Sequence, residues 1–262
     1  MVRTFKELIR HGHWDFLNLE NSFILNSLFF RSDFQLMTAD LNKEARMLDV
    51  HTHNPLRYPD IIEIEAPDLR RIASNKWQPS GPFILGLHPW YIDQVVDPKT
   101  AISKWINHPD CIGVGETGLD LASKVDLDIQ ESWFRFHFDI ANKYKKGLIV
   151  LHMVRCWDRL RKILQTVEYS GVLLIHDCQA STNDLVWLEQ DRRMWFSYGS
   201  ALKRPNSKGY KGFLSVNEER LLFETDDSGE SLKDVISRAR ALRSLVNHEE
   251  IEQEFLRKIL LN

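Results

Sequence analysis

The stretch RMLDVHTHNP, residues 46–55, places two histidines one residue apart after a short apolar run and an aspartate. In a β-strand, residues i and i+2 point to the same face, so His51 and His53 would present both imidazoles to one spot. Two interpretations follow, a pair of metal ligands or two polar residues at the end of a strand. The rest of the sequence decides between them.

Eight short β-rich runs begin with this stretch, and most of the intervals between them are long enough for a helix. Most runs are continuously apolar, which is typical of parallel strands buried on both faces, and eight of them predict an α/β fold, the (β/α)8 barrel of the TIM type. Only residues 51–60 separate the first two runs, so we expect the first β-α unit to be abbreviated or distorted. The runs are residues 47–50, 61–66, 83–87, 111–115, 147–151, 171–175, 194–199 and 220–224.

Six of these runs are followed by a histidine or a carboxylate. In a parallel barrel the carboxyl ends of all strands open on one face, where such enzymes carry their chemistry. Imidazole and carboxylate groups bind zinc-like and manganese-like ions, and this set exceeds what one tetrahedral site uses, so we expect two divalent metal ions, either Mg, Mn or Zn. The competing interpretation is a set of solvated strand ends. The residues are His51, His53, His88, Glu116, His152, His176 and Asp226.

Six blocks around these residues resemble, in the same order, the TatD family of metal-dependent deoxyribonucleases. They are DVHTH (49–53), GLHPW (86–90), GVGETGLD (113–120), LHMVR (151–155), LLIHDC (173–178) and LLFETDD (221–227). The resemblance implies a two-metal site, phosphodiester cleavage and 3'-5' exonuclease trimming of single-stranded DNA, with single strands preferred to duplex. It also implies that His51, His53 and Asp226 hold one ion and that Glu116 bridges to a second ion, which His152 and His176 complete.

Catalytic roles follow from the same resemblance and from two-metal chemistry. Asp226 would bind metal and accept the proton of the attacking water, and Glu116 would join the two ions. His88 would approach the substrate phosphate or the leaving group, or else cap the turn at Pro89. Arg155 would clamp a phosphate, because a guanidinium makes paired hydrogen bonds to such groups, or else pair with Asp158 at the surface.

Several further residues carry weaker predictions. We expect Asp49 to make structural hydrogen bonds and Asp120 to steady the loop behind Glu116. For the tryptophans, packing is favoured over stacking on nucleobases, and the basic loop follows a nucleic-acid backbone or is merely solvated. The tryptophans are Trp90, Trp157 and Trp195, and the basic loop is Lys203, Arg204 and Lys208.

The chain changes character near residue 46. Residues 1–46 are an aromatic-rich extension, which is a candidate docking segment for a protein partner, and residues 47–262 form the predicted barrel. The extension repeats the H-x-H spacing at His11 and His13, but no β-rich run precedes them, so we expect surface residues.

Composition narrows the class of protein. The formal charge of -3 excludes a broadly basic nucleic-acid coat, and no long apolar stretch predicts a membrane span or a signal peptide. The three cysteines are far apart and lack C-x-x-C spacing, which predicts a reduced, cytoplasmic protein without disulfides.

The substrate is the least determined part of this interpretation. After the ETD block the family continues with a small residue, a proline and an aromatic, and later with R-x-N-x-P, whereas this chain reads DSGESLKDV and lacks that block. Two alternatives to a DNase therefore stay open. One is an ester or amide hydrolase of the same superfamily, acting on an aminoacyl-tRNA ester or a lactone, and the other is an accessory subunit that docks a partner through its extension.

Overall fold

The computed structural model describes residues 46–261, and in them eight parallel strands form one sheet in the order β1 to β8. The predicted (β/α)8 barrel is confirmed, and each of the eight predicted runs overlaps a strand. The sheet closes where β1 meets the residues after β8, with a parallel bridge between Thr52 and Asp226. The strands are β1 Met47–Thr52, β2 Ile61–Glu65, β3 Phe83–Leu85, β4 Cys111–Asp120, β5 Leu148–Val154, β6 Val172–Ile175, β7 Met194–Tyr198 and β8 Leu221–Phe223.

Helices alternate with the strands from β2 onward, and the sequence marks where most of them begin. The side chains of Ser181, Ser207 and Ser231 each accept a backbone N–H three residues on, which satisfies a donor that the first helical turn leaves free. Within the described residues the α-helices are α1 Leu69–Ala73, α2 Pro98–Trp105, α3 Leu127–Lys143, α4 Trp157–Leu164, α5 Thr182–Leu188, α6 Lys208–Ser215, α7 Leu232–Leu242 and α8 His248–Leu261.

The first β-α unit is abbreviated, as predicted, since no helix lies between β1 and β2. A loop covers β2 instead, and two buried glutamates of β2 hold it. Glu63 accepts the backbone N–H groups of Leu56 and Arg57, while the Arg57 guanidinium donates to Glu65 at 2.8 Å. Trp77 donates its indole N–H to the other oxygen of Glu65 at 2.6 Å. Charged side chains therefore replace the apolar helix face that normally covers a barrel strand.

The core lies inside the barrel and between the sheet and the helices. Trp195 is 1 % exposed and packs against Phe255 of α8, with ring centroids 5.3 Å apart, and Trp157 is 8 % exposed. Both indoles are buried, so they are packing residues and cannot stack on a nucleobase. The favoured prediction of packing is therefore confirmed for these two tryptophans.

The cysteines and the helices bear on two predictions from composition. Cys111, Cys156 and Cys178 are all buried and unpaired, so the prediction of no disulfides is confirmed. Within residues 46–261, none of the helices combines the length and the apolar character needed to cross a bilayer. The predicted extension, with His11 and His13, lies outside the described residues apart from Arg46.

Candidate metal centre

Closure of the barrel brings three of the predicted ligands together. The backbone N–H of Asp226 donates to the carbonyl of His51 at 2.9 Å, and the N–H of His53 donates to the carbonyl of Asp226 at 3.1 Å. Asp226 is therefore hydrogen-bonded between His51 of β1 and His53, which directly follows that strand. It adopts a left-handed backbone with φ 51°, a conformation that aspartate tolerates better than most residues.

Glu116 lies inside β4 and not at its end, which corrects the expected strand boundary. Between Val114 and Thr117 this strand uses one residue more than β5, so a β-bulge surrounds Glu116. Beyond the bulge, pairing resumes and β4 continues to Asp120. A Cβ on Gly118 would come within 2.0 Å of the His152 carbonyl oxygen, so only glycine permits this close approach.

The first group of candidate ligands contains His51, His53 and Asp226. The Nε2 atoms of His51 and His53 lie 3.6 and 3.4 Å from Asp226 Oδ1, and 3.7 and 3.3 Å from Glu116 Oε2. Donors that share one ion at about 2.1 Å lie about 3.0 to 3.4 Å apart, so the two spacings from His53 suit a common cation and the two from His51 are about 0.2 to 0.3 Å longer. His51 is fully buried, and its ring nitrogens have no hydrogen-bond partner among residues 46–261. A cation would satisfy this orphaned imidazole.

A second group surrounds the other oxygen of Glu116. Glu116 Oε1 lies 2.7 Å from His176 Nε2, 2.9 Å from His152 Nδ1 and 3.2 Å from His88 Nε2. His152 Nδ1 and His176 Nε2 are 3.2 Å apart. The two oxygens of one buried carboxylate therefore face two separate groups of donors, as a bridging ligand requires.

In three histidines, one ring nitrogen makes a hydrogen bond outside the site. That bond determines whether the other nitrogen, which faces the site, carries a lone pair or a proton. His53 Nδ1 donates to the Ala66 carbonyl at 2.7 Å, and His152 Nε2 donates to Asp120 at 3.0 Å, so each keeps a lone pair towards Glu116. His88 differs, because its Nδ1 accepts the backbone N–H of Trp90 at 3.1 Å. A neutral His88 consequently carries its proton on Nε2 and presents an N–H to the site. The geometry also contains the turn contact that was the alternative for His88.

In several groups of the site, neighbouring charges oppose the effect of burial on the pKa. Burial would raise the pKa of Glu116, but His176, His88 and His152 outweigh it and hold that pKa well below 4.5. Burial would likewise lower the pKa of His176 and His53, yet Glu116 and other carboxylates raise these pKa values to about 10 and about 9. Burial prevails at His51 and His88, whose pKa values it lowers. Positive charge, from protons or metal ions, is therefore favoured next to Glu116 on the side of His53 and His176.

Asp120 orients His152, a role that the sequence analysis missed. Its Oδ2 accepts from His152 Nε2 and from the indole N–H of Trp90 at 2.5 Å, while its Oδ1 accepts the backbone N–H of Ala122 at 2.7 Å. Burial would raise the pKa of Asp120, but these hydrogen bonds lower it to about 2. The contact of Asp120 with the loop was predicted. The sequence signal for its position beside His152 was the spacing between Glu116 and Asp120, because residues four apart on a strand share a face.

Asp49 makes the structural hydrogen bonds expected of it. Its carboxylate accepts the backbone N–H of Thr225 at 3.1 Å and the hydroxyl at 2.6 Å, which joins β1 to the segment that carries Asp226. Burial raises the pKa of Asp49 to about 7.

A cavity of about 370 Å³ opens from the candidate metal centre. Its walls come mainly from the residues after β1, β2, β3 and β8, and they include Trp90 and Arg71. Arg155 is exposed and does not line the cavity, so its phosphate role stays a prediction. Lys203 pairs with Glu230 at 2.9 Å.

Fold and site together define a barrel hydrolase that depends on metal ions. The family model "TatD related DNase" matches residues 38–248, and the chain belongs to this family of metal-dependent hydrolases. The resemblance seen in the six sequence blocks is thereby confirmed at the level of the family.

Two solved structures share the fold. YJJV, the TatD homolog from Escherichia coli K12, is 21 % identical with a TM-score of 0.64, and the match covers 82 % of this chain and 96 % of that one. A hydrolase TatD family protein from Entamoeba histolytica is 12 % identical with a TM-score of 0.60, covering 81 % and 96 %. No curated protein sequence matches the chain with significance.

Proposed function

We propose that this protein is a two-metal phosphodiesterase that hydrolyses DNA, trimming single strands from the 3' end. The observation that carries the proposal is the position of Glu116, whose two oxygens face two separate groups of donors. One ion would be held by His51, His53 and Asp226, and the other by His152 and His176, with Glu116 shared. The family model supports DNA as the substrate, since its description names a DNase.

Divalent cations bound there would stabilise the entering and leaving oxygens of an in-line displacement at phosphorus and lower the pKa of a nearby water. Asp226 is the residue placed to take that water's proton, because its carboxylate is partly exposed and lies at the cavity wall. A general base of this kind contributes about a hundredfold to ten-thousandfold to the rate.

His88 acts on the substrate phosphate or on the leaving oxygen, and not on the attacking water. Its Nε2–H points into the site, and 14 % of its side chain is exposed to the cavity. An N–H in this position donates to a phosphate oxygen or to the departing oxygen, whereas His53 and His152 direct lone pairs inward. The tautomer of His88 therefore makes it a proton donor, whereas the tautomers of His53 and His152 make them metal ligands.

The test is cleavage of a 5'-labelled oligonucleotide, single-stranded and duplex, with Mg²⁺, Mn²⁺ or Zn²⁺. The wild type should give a descending ladder on the single strand, and Asp226→Asn should lower kcat by a hundredfold or more. Asp110→Asn, at an exposed aspartate beside His108, is the matched control and should leave the rate unchanged. Cleavage of an aminoacyl ester or a lactone but not of DNA would overturn the proposal in favour of the carbonyl alternative. Full biological activity in Asp226→Asn, lost on deletion of residues 1–46, would instead favour an accessory subunit.

A further inference from the structure

We propose that Trp90 and Arg71 form a nucleotide subsite beside the metal centre. The indole of Trp90 stacks on one unpaired base, and the guanidinium of Arg71 binds the phosphate next to the scissile one. This inference rests on the proposed function, because it names how a nucleic acid strand is held at the same site.

The shape of the cavity gives the direction in which a substrate leaves the metal centre. Apart from Glu116, His152, His176 and the two aspartates after β8, its lining comes from the segments that follow β1, β2 and β3. A strand with its scissile phosphate at the ligands would therefore extend across residues 66–71 and 86–91. A volume of about 370 Å³ is at the small end of ligand cavities, which suits one nucleotide unit.

Trp90 is both exposed and fixed. Its side chain is 47 % exposed, although its indole N–H is hydrogen-bonded to Asp120 Oδ2 at 2.5 Å. The ring also packs edge-on against His88, with centroids 5.1 Å apart. An exposed indole usually loses rotamer freedom when a ligand binds, and this one is already held, so little further ordering opposes stacking on a base.

Arg71 is the one lysine or arginine in the cavity wall, as far as residues 46–261 show. It is exposed, and none of the described residues accepts a hydrogen bond from its guanidinium or pairs with it. Its neighbour Arg70 is engaged, because it pairs with Asp68 at 2.7 Å and lies 3.5 Å over the ring of Tyr91. The two consecutive arginines of α1 thus divide into a structural one and one that can bind an anion.

The two residues together recognise a base and a phosphate of a strand that is not paired. Stacking on an indole requires a base whose face is free, which a duplex does not offer without unstacking. A guanidinium supplies two parallel donors to phosphate oxygens. Neither contact reads the identity of the base, so the subsite holds any sequence.

The experiment compares two substrates that differ in what they offer this subsite. One is a single-stranded oligothymidylate, and the other is methyl p-nitrophenyl phosphate, a diester with neither a second phosphate nor a nucleobase. Trp90→Ala and Arg71→Ala should each raise KM for the oligonucleotide about tenfold. Arg71→Ala should change kcat/KM for the small diester by less than threefold, whereas Trp90→Ala should change it by the same factor as Trp90→Phe, because both variants lose the N–H that Asp120 accepts. Arg71→Ala should also reduce the slope of log KM against log salt by about 0.7, the value for one phosphate contact on a single strand.

Two further variants separate the subsite from other roles. Lys76→Ala removes the same charge from an exposed residue just beyond α1 and outside the cavity wall, and it should behave as wild type. Trp90→Phe keeps an aromatic face but loses the N–H to Asp120, so it should keep KM within about threefold of wild type. Equal losses on both substrates, or the same salt slope in Arg71→Ala as in Lys76→Ala, would overturn the subsite.

Failure of the proposed function has a separate readout. If the wild type cleaves neither diester with any of the three metals, the proposed function fails. Binding of a fluorescent oligothymidylate, measured by anisotropy in Ca²⁺, still tests the subsite. There Trp90→Ala and Arg71→Ala should each weaken binding about tenfold, and unchanged binding in both variants would refute the inference.

Discussion

Replacing Asp120 by asparagine tests how the fold fixes the second group of ligands. The aspartate accepts three N–H groups, from Ala122 at Oδ1 and from Trp90 and His152 at Oδ2. An asparagine of the same shape has one oxygen and one NH2 group, so it must present a donor to at least one of these donors.

Both orientations of the asparagine have a cost. With its NH2 towards Ala122, a part-buried backbone donor loses its acceptor, at about 0.5 to 1.5 kcal/mol of folding free energy. With its NH2 towards His152, that ring must accept at Nε2 and move its proton to Nδ1, the nitrogen that faces Glu116. The lone pair needed for a metal is then lost. Changes to such an outer partner weaken metal binding about tenfold to a hundredfold, which is about 1.4 to 2.8 kcal/mol.

The assay is calorimetric titration of metal-free protein with Mn²⁺ and with Zn²⁺. The wild type should show two binding steps. Asp120→Asn should weaken the step that uses His152 and His176 and leave the step at His51 and His53 within about threefold. Asp110→Asn, beside the half-buried His108 and outside both groups of candidate ligands, should leave both steps unchanged. Wild-type affinity for both ions in Asp120→Asn would refute the reasoning.

Three other predictions concern stability. Burial lowers the pKa of His137 from 6.5 to about 4, so the unfolded chain binds more protons between these values and stability falls as pH drops through this window. In urea titrations, the loss of stability between pH 6.5 and pH 5 should be smaller by about 1.6 kcal/mol in His137→Gln than in the wild type, and an equal loss would contradict this. Gly118→Ala should lower the free energy of unfolding by about 3 kcal/mol or more, because its Cβ would meet the His152 carbonyl. Gly229 also has positive φ but lies in open space, so Gly229→Ala should cost about 1 kcal/mol, and equal losses in the two variants would refute the steric argument. Glu63→Gln should lose about 1 to 3 kcal/mol in denaturant unfolding, because its NH2 would face a loop N–H, and a loss below about 0.5 kcal/mol would contradict that account.

The sequence predicted the barrel because its signal is local and repeated. Continuous apolar runs such as 171–175 can be buried only in a sheet covered on both faces, and the short interval 51–60 was correctly expected to lack a helix. What replaces that helix could not be predicted. The bonds from Glu63 and Glu65 to the loop depend on where Arg57 and Trp77 meet them in space.

The candidate ligands were predictable for a similar reason, since each follows an apolar run whose end faces the same mouth of the barrel. The bulge at Glu116 was not predictable, because it arises from how β4 pairs with β5. The spacing of Glu116 and Asp120 indicates a shared strand face, but the bond from Asp120 to His152 joins residues 32 apart in sequence and depends on how β4 pairs with β5. Arg155 was chosen for its closeness to His152 along the chain. Its backbone is left-handed with φ 56° and its side chain is exposed outside the cavity wall, so its role as a phosphate clamp stays a prediction.

The central claim is that one carboxylate joins two ions at the mouth of the barrel. Anomalous scattering from Mn²⁺-soaked crystals tests it most directly. Two peaks should appear about 3.5 to 4 Å apart on either side of Glu116, one among His51, His53 and Asp226 and the other beside His152 and His176. A single peak, or peaks away from Glu116, would contradict the account.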